Sequence, residues 1–133
     1  MAELVYQKKR KDQISKISSQ VKRLCKKGVE HNYDEGQTRD AIIDVVLEKG
    51  LGLKFGENLF SEHSSGNGKC DYLITYKGKP HIIVEAKKIG TRLNDNVVCQ
   101  TLGYSLANPV KWIVLTDGNK WHAYKTTLKK KNP

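Results

Sequence analysis

The chain has 133 residues, 38% of them hydrophobic, and a formal net charge of +10 at pH 7. This length favours one soluble domain around one core, and its apolar runs are far shorter than the roughly 20 residues of a membrane-spanning helix, so we expect no membrane partner. Three widely spaced cysteines and the lack of an apolar leader indicate reduced thiols in an intracellular, reducing compartment such as the cytoplasm.

The first predicted element is a basic amphipathic helix. From Gln13 to Cys25, apolar residues recur at spacings of three and four, which places them on one helical face. Residues 1–27 hold nine Lys and Arg side chains against two acidic ones, and residues 125–133 add four lysines. Basic ends favour contact with a polyanion such as DNA, although they also promote solubility alone. The helix could pack on the core, contact DNA or pair with a second chain, so a homodimer is one hypothesis.

The next elements are a helix and a weakly defined strand. Asp34 and Gln37 form a potential capping box, apolar residues follow at helical spacing, and Gly50 ends the helix. A first strand is expected around residues 53–60. The Ser- and Gly-rich residues 61–69 then predict a flexible loop.

Two predicted hairpins make up most of the remaining chain. The runs Tyr72–Tyr76 and His81–Ala86 predict the first, with residues 77–80 as its turn. A helix is expected at 94–107, and Trp112–Thr116 and Trp121–Tyr124 predict a second hairpin around Asp117-Gly118. We therefore expect three regions: a basic N-terminal helical segment at 1–27, a core at 28–125, and a basic disordered tail at 126–133.

A carboxylate, an ammonium and a second carboxylate are expected to meet on this sheet. Glu85 and Lys87 end an apolar strand and, because side chains alternate, point the same way. Asp71 opens the preceding strand and joins them if the intervening loop has three or five residues, whereas an even loop would separate them. Two carboxylates close together raise each other's pKa unless a cation keeps both of them ionised. Their oxygen ligands suit Mg²⁺, for which Mn²⁺ would substitute.

This chemistry predicts phosphodiester hydrolysis. The metal would polarise the phosphate and activate a water, while Lys87 positions that water or stabilises transition-state charge. Structural explanations stay open: Asp71 as a turn residue, and Glu85 with Lys87 as a solvated cross-strand pair. Lys88 and Arg92 follow the strand either as phosphate contacts or as ordinary solvated cations.

Three motifs resemble a known family. Asp71 followed by Glu85-Ala86-Lys87 resembles the PD-(D/E)xK nuclease signature, although Cys70 stands where the family usually has proline. Gln100-Thr-Leu-Gly-Tyr104 resembles the Q-x-x-x-Y motif of some branches. With Glu35-Gly-Gln-Thr-Arg39 and Trp112-Ile-Val-Leu-Thr-Asp-Gly, the pattern over about residues 33–125 is most similar to the N-terminal nuclease domain of type I restriction enzyme motor subunits.

The resemblance implies an α/β fold with a restriction-endonuclease-like core, in which helices flank a mixed, mostly antiparallel central sheet. It implies a catalytic set of Glu35, Asp71, Glu85 and Lys87. Asp71 and Glu85 would bind the metal, with Glu35 and the backbone carbonyl of Ala86 as candidate further ligands. On sequence alone, Glu35 would be an ordinary first-turn acid.

Gln100 and Tyr104 are expected to support this site or contact the DNA backbone, with ordinary helix packing as the alternative. The expected activity is that of a Mg²⁺-dependent DNA endonuclease with little sequence specificity. The competing hypotheses are a catalytically silent DNA-binding or regulatory module that keeps the nuclease fold, and an RNA-directed or partner-binding basic domain. The sequence contains no phosphate-binding loop of an ATPase motor, so a protein partner that supplies targeting is a further hypothesis.

Overall fold

Two helical segments precede the sheet. The computed structural model describes residues 17–65, 68–94 and 110–126. Residues 17–30 form helix α1, which runs past the predicted end at Cys25. It packs on the core, because buried Cys25 contacts Ile42 and Ile89 in one apolar cluster with Val21 and Leu24. Residues 1–16 lie outside the described residues, as does the predicted tail at 126–133 apart from Thr126.

The second helical segment begins at the predicted capping box. Helix α2 (Glu35–Thr38) starts after Asp34, whose Oδ1 accepts from the Gln37 backbone N–H at 2.7 Å. The Gln37 side chain accepts in return from the Asp34 N–H at 3.0 Å, so both halves of the capping box are confirmed. Two π-helical stretches follow, Arg39–Ile43 and Val46–Gly50. This helical segment ends near Gly50, as expected. π-helical turns often occur at functional sites, which draws attention to Arg39.

Five strands form one sheet in sequential order. The strands are β1 (Leu59–Ser65), β2 (Gly68–Tyr76), β3 (Lys79–Ala86), β4 (Trp112–Thr116) and β5 (Trp121–Lys125). Adjacent strands are antiparallel except β3 and β4, which are parallel and therefore need a crossover connection between them. The helix predicted at 94–107 falls on that connection and, apart from residue 94, lies outside the described residues. The α/β class and the mixed, mostly antiparallel sheet of a restriction-endonuclease-like core are confirmed.

The predicted flexible loop at residues 61–69 is wrong. Residues 59–65 and 68–76 instead form an antiparallel pair, with Ser61 opposite Tyr72 and Ser64 opposite Lys69. Serine-rich composition disfavours a strand locally, but cross-strand pairing overrides that weak preference. The first strand accordingly begins at Leu59 instead of residue 53.

The β2–β3 turn also differs from expectation, because it contains two residues and not four. Lys77 and Gly78 both have positive φ, 51° and 75°, which is the conformation of a tight hairpin turn. Lys79 and Pro80 belong to β3. An even turn was expected to separate Asp71 from Glu85, and that expectation is wrong.

A β-bulge restores the register. Thr75 pairs with Pro80, but the next pair is Ile74 with Ile82, so β3 holds one extra residue, His81, at this point. The shifted register continues through Tyr72 and Val84. Extended by one pair, it places Asp71 opposite Glu85. The two-residue turn and the bulge together act as a three-residue loop would.

Apolar clusters cover both sides of the sheet. One joins Ile43 and Leu47 of the second helical segment to Tyr72 and Val84, and Trp121 packs against it. The other contains Leu73, Ile83, Ile113 and Leu115. No helix in the described part of the chain is long and apolar enough to cross a membrane.

Candidate active site

Asp71, Glu85 and Lys87 lie together where β3 ends. The Ala86 backbone N–H donates to Asp71 Oδ2 at 2.7 Å, which ties the β2 carboxylate to the exit of β3. Lys87 Nζ lies 3.8 Å from Glu85 Oε1. These side chains are only partly exposed, 18% for Asp71, 22% for Glu85 and 24% for Lys87. The structure thus brings two carboxylates and one ammonium to a single, partly desolvated edge of the sheet.

The electrostatics of this edge are dominated by negative charge. Burial, followed by the charge of Asp71, raises the pKa of Glu85 to about 7, although Lys87 opposes the shift. A hydrogen bond with Asp71 and the charge of Glu35 raise the same pKa further. Glu35 is the first residue of α2 and is exposed, so it influences the pair through its field. A cation placed between the carboxylates would relieve this repulsion.

Arg39 joins the site and was not among the residues proposed from sequence as catalytic or supporting. Its Nη1 lies 3.6 Å from Asp71 Oδ1 and 3.4 Å from Glu62 Oε1, and its Nη2 donates to the Asp71 carbonyl at 3.4 Å. The guanidinium stacks over the Tyr72 ring, 5.0 Å from its centroid. Asp71 is therefore held on one oxygen by a backbone N–H and faced on the other by an arginine. The one available signal was the helical spacing of Glu35 and Arg39, which places them on one face.

The surroundings of Arg39 are acidic and partly strained. A cavity of about 320 Å³ lies beside it, lined by Asp40, Asp44 and Glu62 among others. Glu62 has a φ of +51°, a conformation that few non-glycine residues adopt and that often marks functional sites. The buried Tyr72 hydroxyl donates to Asp44 Oδ1 at 2.6 Å, and burial with this bond raises the pKa of Tyr72. This network fixes the ring on which Arg39 rests.

The donor set suits a hard divalent cation in a site open to water. Asp71 and Glu85 offer carboxylate oxygens, and Mg²⁺ commonly takes one or two carboxylates and keeps several waters. Within residues 17–65, 68–94 and 110–126, no group of three or more His, Cys, Asp or Glu side chains is close enough to hold a metal. Asp71 and Glu85 are therefore a pair of carboxylates, and metal binding by this pair, by Glu35 or by the Ala86 carbonyl stays a prediction.

Two of the remaining predicted residues, Lys88 and Arg92, take no part in the described contacts of this site. Lys88 and Arg92 are exposed and take part in no ion pair within the described part of the chain. Gln100 and Tyr104 lie outside the described residues, so their predicted supporting role is untested.

Comparison with known proteins yields one family. The model for the type I restriction enzyme R protein N terminus (HSDR_N) matches residues 55–132. The match spans all five strands and contains Asp71, Glu85 and Lys87, whereas Glu35 and Arg39 precede it. Comparisons with curated proteins and with solved structures give no match.

Proposed function

The chain belongs to the family of the type I restriction enzyme R protein N terminus, and on this premise we propose that it is a Mg²⁺-dependent DNA nuclease. The family supports a nuclease-related role, while the metal and the hydrolytic step are the proposal. The observation that carries it is the Asp71–Glu85 carboxylate pair with Lys87 Nζ 3.8 Å from Glu85. Two carboxylates and a lysine at one strand end are the groups that metal-assisted phosphodiester hydrolysis requires.

Each residue of the site has a separate task in this proposal. When bound, Mg²⁺ supplies Lewis-acid activation of the phosphate and of a water. The Ala86 N–H and Arg39 orient the Asp71 carboxylate before substrate arrives, which lowers the reorganisation needed for reaction. Lys87 places a positive charge beside the pair, where it orients the attacking water or stabilises charge on the phosphate. The partial burial of the pair strengthens these interactions.

Cleavage of circular DNA tests the proposal. Single-stranded circles and supercoiled duplex would be incubated with Mg²⁺, Mn²⁺ or EDTA, using wild type, Glu85→Ala and Lys87→Ala. Glu57→Ala and Lys54→Ala, exposed positions in the turn before β1, remove the same charges elsewhere. We expect metal-dependent nicking that both site variants lose and both control variants keep. Because circles have no ends, nicking also identifies an endonuclease.

A DNA-binding or regulatory module without turnover is the second candidate. The specific observation in its favour is that Glu35 does not complete a three-carboxylate metal group among the described residues. This candidate predicts that the wild-type protein binds DNA but does not cleave it in the presence of either Mg²⁺ or Mn²⁺. A homodimer and a targeting partner remain hypotheses for either function.

A further inference from the structure

A second concavity lies next to the site, on the side of α1. It has a volume of about 380 Å³ and is formed by α1, the residues after Lys87 and the β4–β5 loop. Its lining includes Ile89 and Gly90, which follow Lys87 by two and three residues, but not Asp71, Glu85 or Lys87. The concavity is therefore adjacent to the carboxylate site and distinct from it.

Three lysines surround this concavity. Lys22 and Lys26 are four residues apart on α1 and so share one helical face, while Lys120 belongs to the β4–β5 loop. Lys120 Nζ donates to the Thr91 carbonyl at 3.5 Å. In the described ranges, none of the three lysines forms an ion pair. Three ammonium groups against one carboxylate, Asp117, give the cavity a net positive potential that favours an anion.

Among the described lining residues, the one acidic side chain accepts hydrogen bonds from the backbone. Asp117 is 1% exposed, and its Oδ2 accepts from the Gly90 N–H at 3.0 Å. Its Oδ1 accepts from the N–H groups of Asn119 at 3.0 Å and Lys120 at 2.7 Å. The carboxylate thus links the exit of β3 to the β4–β5 loop and offsets only part of the lysine charge. The lining stays net positive, and its shape is fixed by backbone hydrogen bonds.

We propose that this lysine-lined concavity binds a phosphate group of the polynucleotide, an inference that rests on the proposed function. The volume lies within the range of small-ligand sites and is sufficient for a phosphate with its sugar. Lysine binds phosphate as a point charge and reads no base, so this contact anchors the strand without adding sequence specificity. Because Gly90 lines the concavity and lies three residues after Lys87 in the chain, a phosphate anchored here lies near the Asp71–Glu85–Lys87 site.

Metal-free DNA binding tests the anchor separately from catalysis. Affinity for a duplex and for a single-stranded oligonucleotide would be measured in EDTA over a range of salt concentrations. The test variant is Lys22→Gln/Lys26→Gln. The matched control, Lys77→Gln/Lys79→Gln, removes the same charge at the β2–β3 turn and the first residue of β3, which lies about 23 Å by strand rise from Ala86 at the other end of the strand.

Counterion release sets the expected size of the effect. Each lost phosphate contact lowers the salt slope by about 0.9 for duplex and about 0.7 for single-stranded DNA. Because the concavity holds one phosphate group, the lost contact corresponds to roughly 5- to 8-fold weaker binding at 0.1 M salt. We expect this loss in the test variant and little change in the control. Equal effects in the two variants, or no DNA binding by wild type in EDTA, would refute the anchor. The nuclease proposal is judged separately, by nicking of circular DNA in Mg²⁺.

Lysine acetylation distinguishes the source of the phosphate. Residue-resolved mass spectrometry would compare the protein alone, with the oligonucleotide, and with inorganic phosphate. The proposal expects the oligonucleotide to protect Lys22, Lys26 and Lys120 more than Lys77 and Lys79. Protection by inorganic phosphate but not by the oligonucleotide would identify a small-anion site and overturn the proposal.

Discussion

Replacing Glu85 with glutamine should stabilise the metal-free protein at alkaline pH. The folded state raises the pKa of Glu85 from 4.5 to about 7, so between these values the folded chain holds a proton that the unfolded chain has released. The contribution of Glu85 to the free energy of unfolding is therefore most favourable below pH 4.5. It is lost as the pH rises through about 7, because ionised Glu85 then faces Asp71. Glutamine keeps the shape and never ionises, so Glu85→Gln avoids this loss.

The size of the effect follows from the pKa shift. A displacement from 4.5 to about 7 corresponds to at most about 3 kcal/mol. The Glu85 side chain is 22% exposed, and solvent screening reduces the expected gain to about 1–2 kcal/mol. For a domain of this size, that gain raises the melting temperature by roughly 4–8 °C.

Thermal unfolding of wild type and Glu85→Gln between pH 4.5 and 8.5, in EDTA and in Mg²⁺, measures this prediction. Glu57→Gln, an exposed carboxylate distant from the site, is the control and should follow wild type. We expect the two curves to coincide near pH 4.5, to separate progressively as the pH rises to about 7, and to stay apart by a constant difference above it. Mg²⁺ should then raise the melting temperature of wild type more than that of the variant, since only wild type offers both carboxylates. A pH-independent difference, or none, would refute the account of the Asp71–Glu85 pair.

Two further substitutions test the packing around the site. Arg39→Met removes the cation beside Asp71 and Glu62, so the free energy of unfolding of the metal-free protein should fall by about 1–2 kcal/mol. Mg²⁺ should then raise the melting temperature of the variant more than that of wild type, and an equal increase in the two proteins would contradict this prediction. Gly118→Ala places a Cβ 3.0 Å from Ile42 Cγ2 at a φ of +91°, and denaturant unfolding should show a loss of about 2–3 kcal/mol. Gly78→Ala is the control, because Gly78 has a φ of +75° with open space around it and should lose about 1 kcal/mol of unfolding free energy from backbone strain alone. Equal losses in the two variants would refute the contribution of the contact with Ile42.

Local signals in the sequence predicted most of the fold. The capping box at Asp34 and Gln37 depends on residues three apart, and it was confirmed. The strands containing Tyr72–Tyr76 and Trp112–Thr116 were predicted from β-branched and aromatic runs that neighbouring strands then cover. Each of these features is decided within a few residues of chain, where sequence patterns are informative.

The features that sequence missed depend on distant partners. The strand at Ser61–Ser65 is stabilised by pairing with β2, which its own composition does not indicate. Arg39 contacts Glu62 and Asp71, which lie 23 and 32 residues further along the chain, so the helical spacing from Glu35 is the one local signal that marks it. The proximity of Asp71 to Glu85 was anticipated, but from a wrong turn length, because a bulge cannot be read from a stretch of alternating residues.

The bulge at His81 has a consequence for comparing this chain with its relatives. A two-residue turn with one bulge and a three-residue turn without a bulge give the same facing of Asp71 and Glu85. Turn length and bulge can therefore change together without altering the site, whereas a single insertion or deletion in either one alone rotates Asp71 to the opposite face. The facing of the two carboxylates therefore depends on whether the number of residues between them is odd or even, and alignments should allow a compensating pair of gaps there.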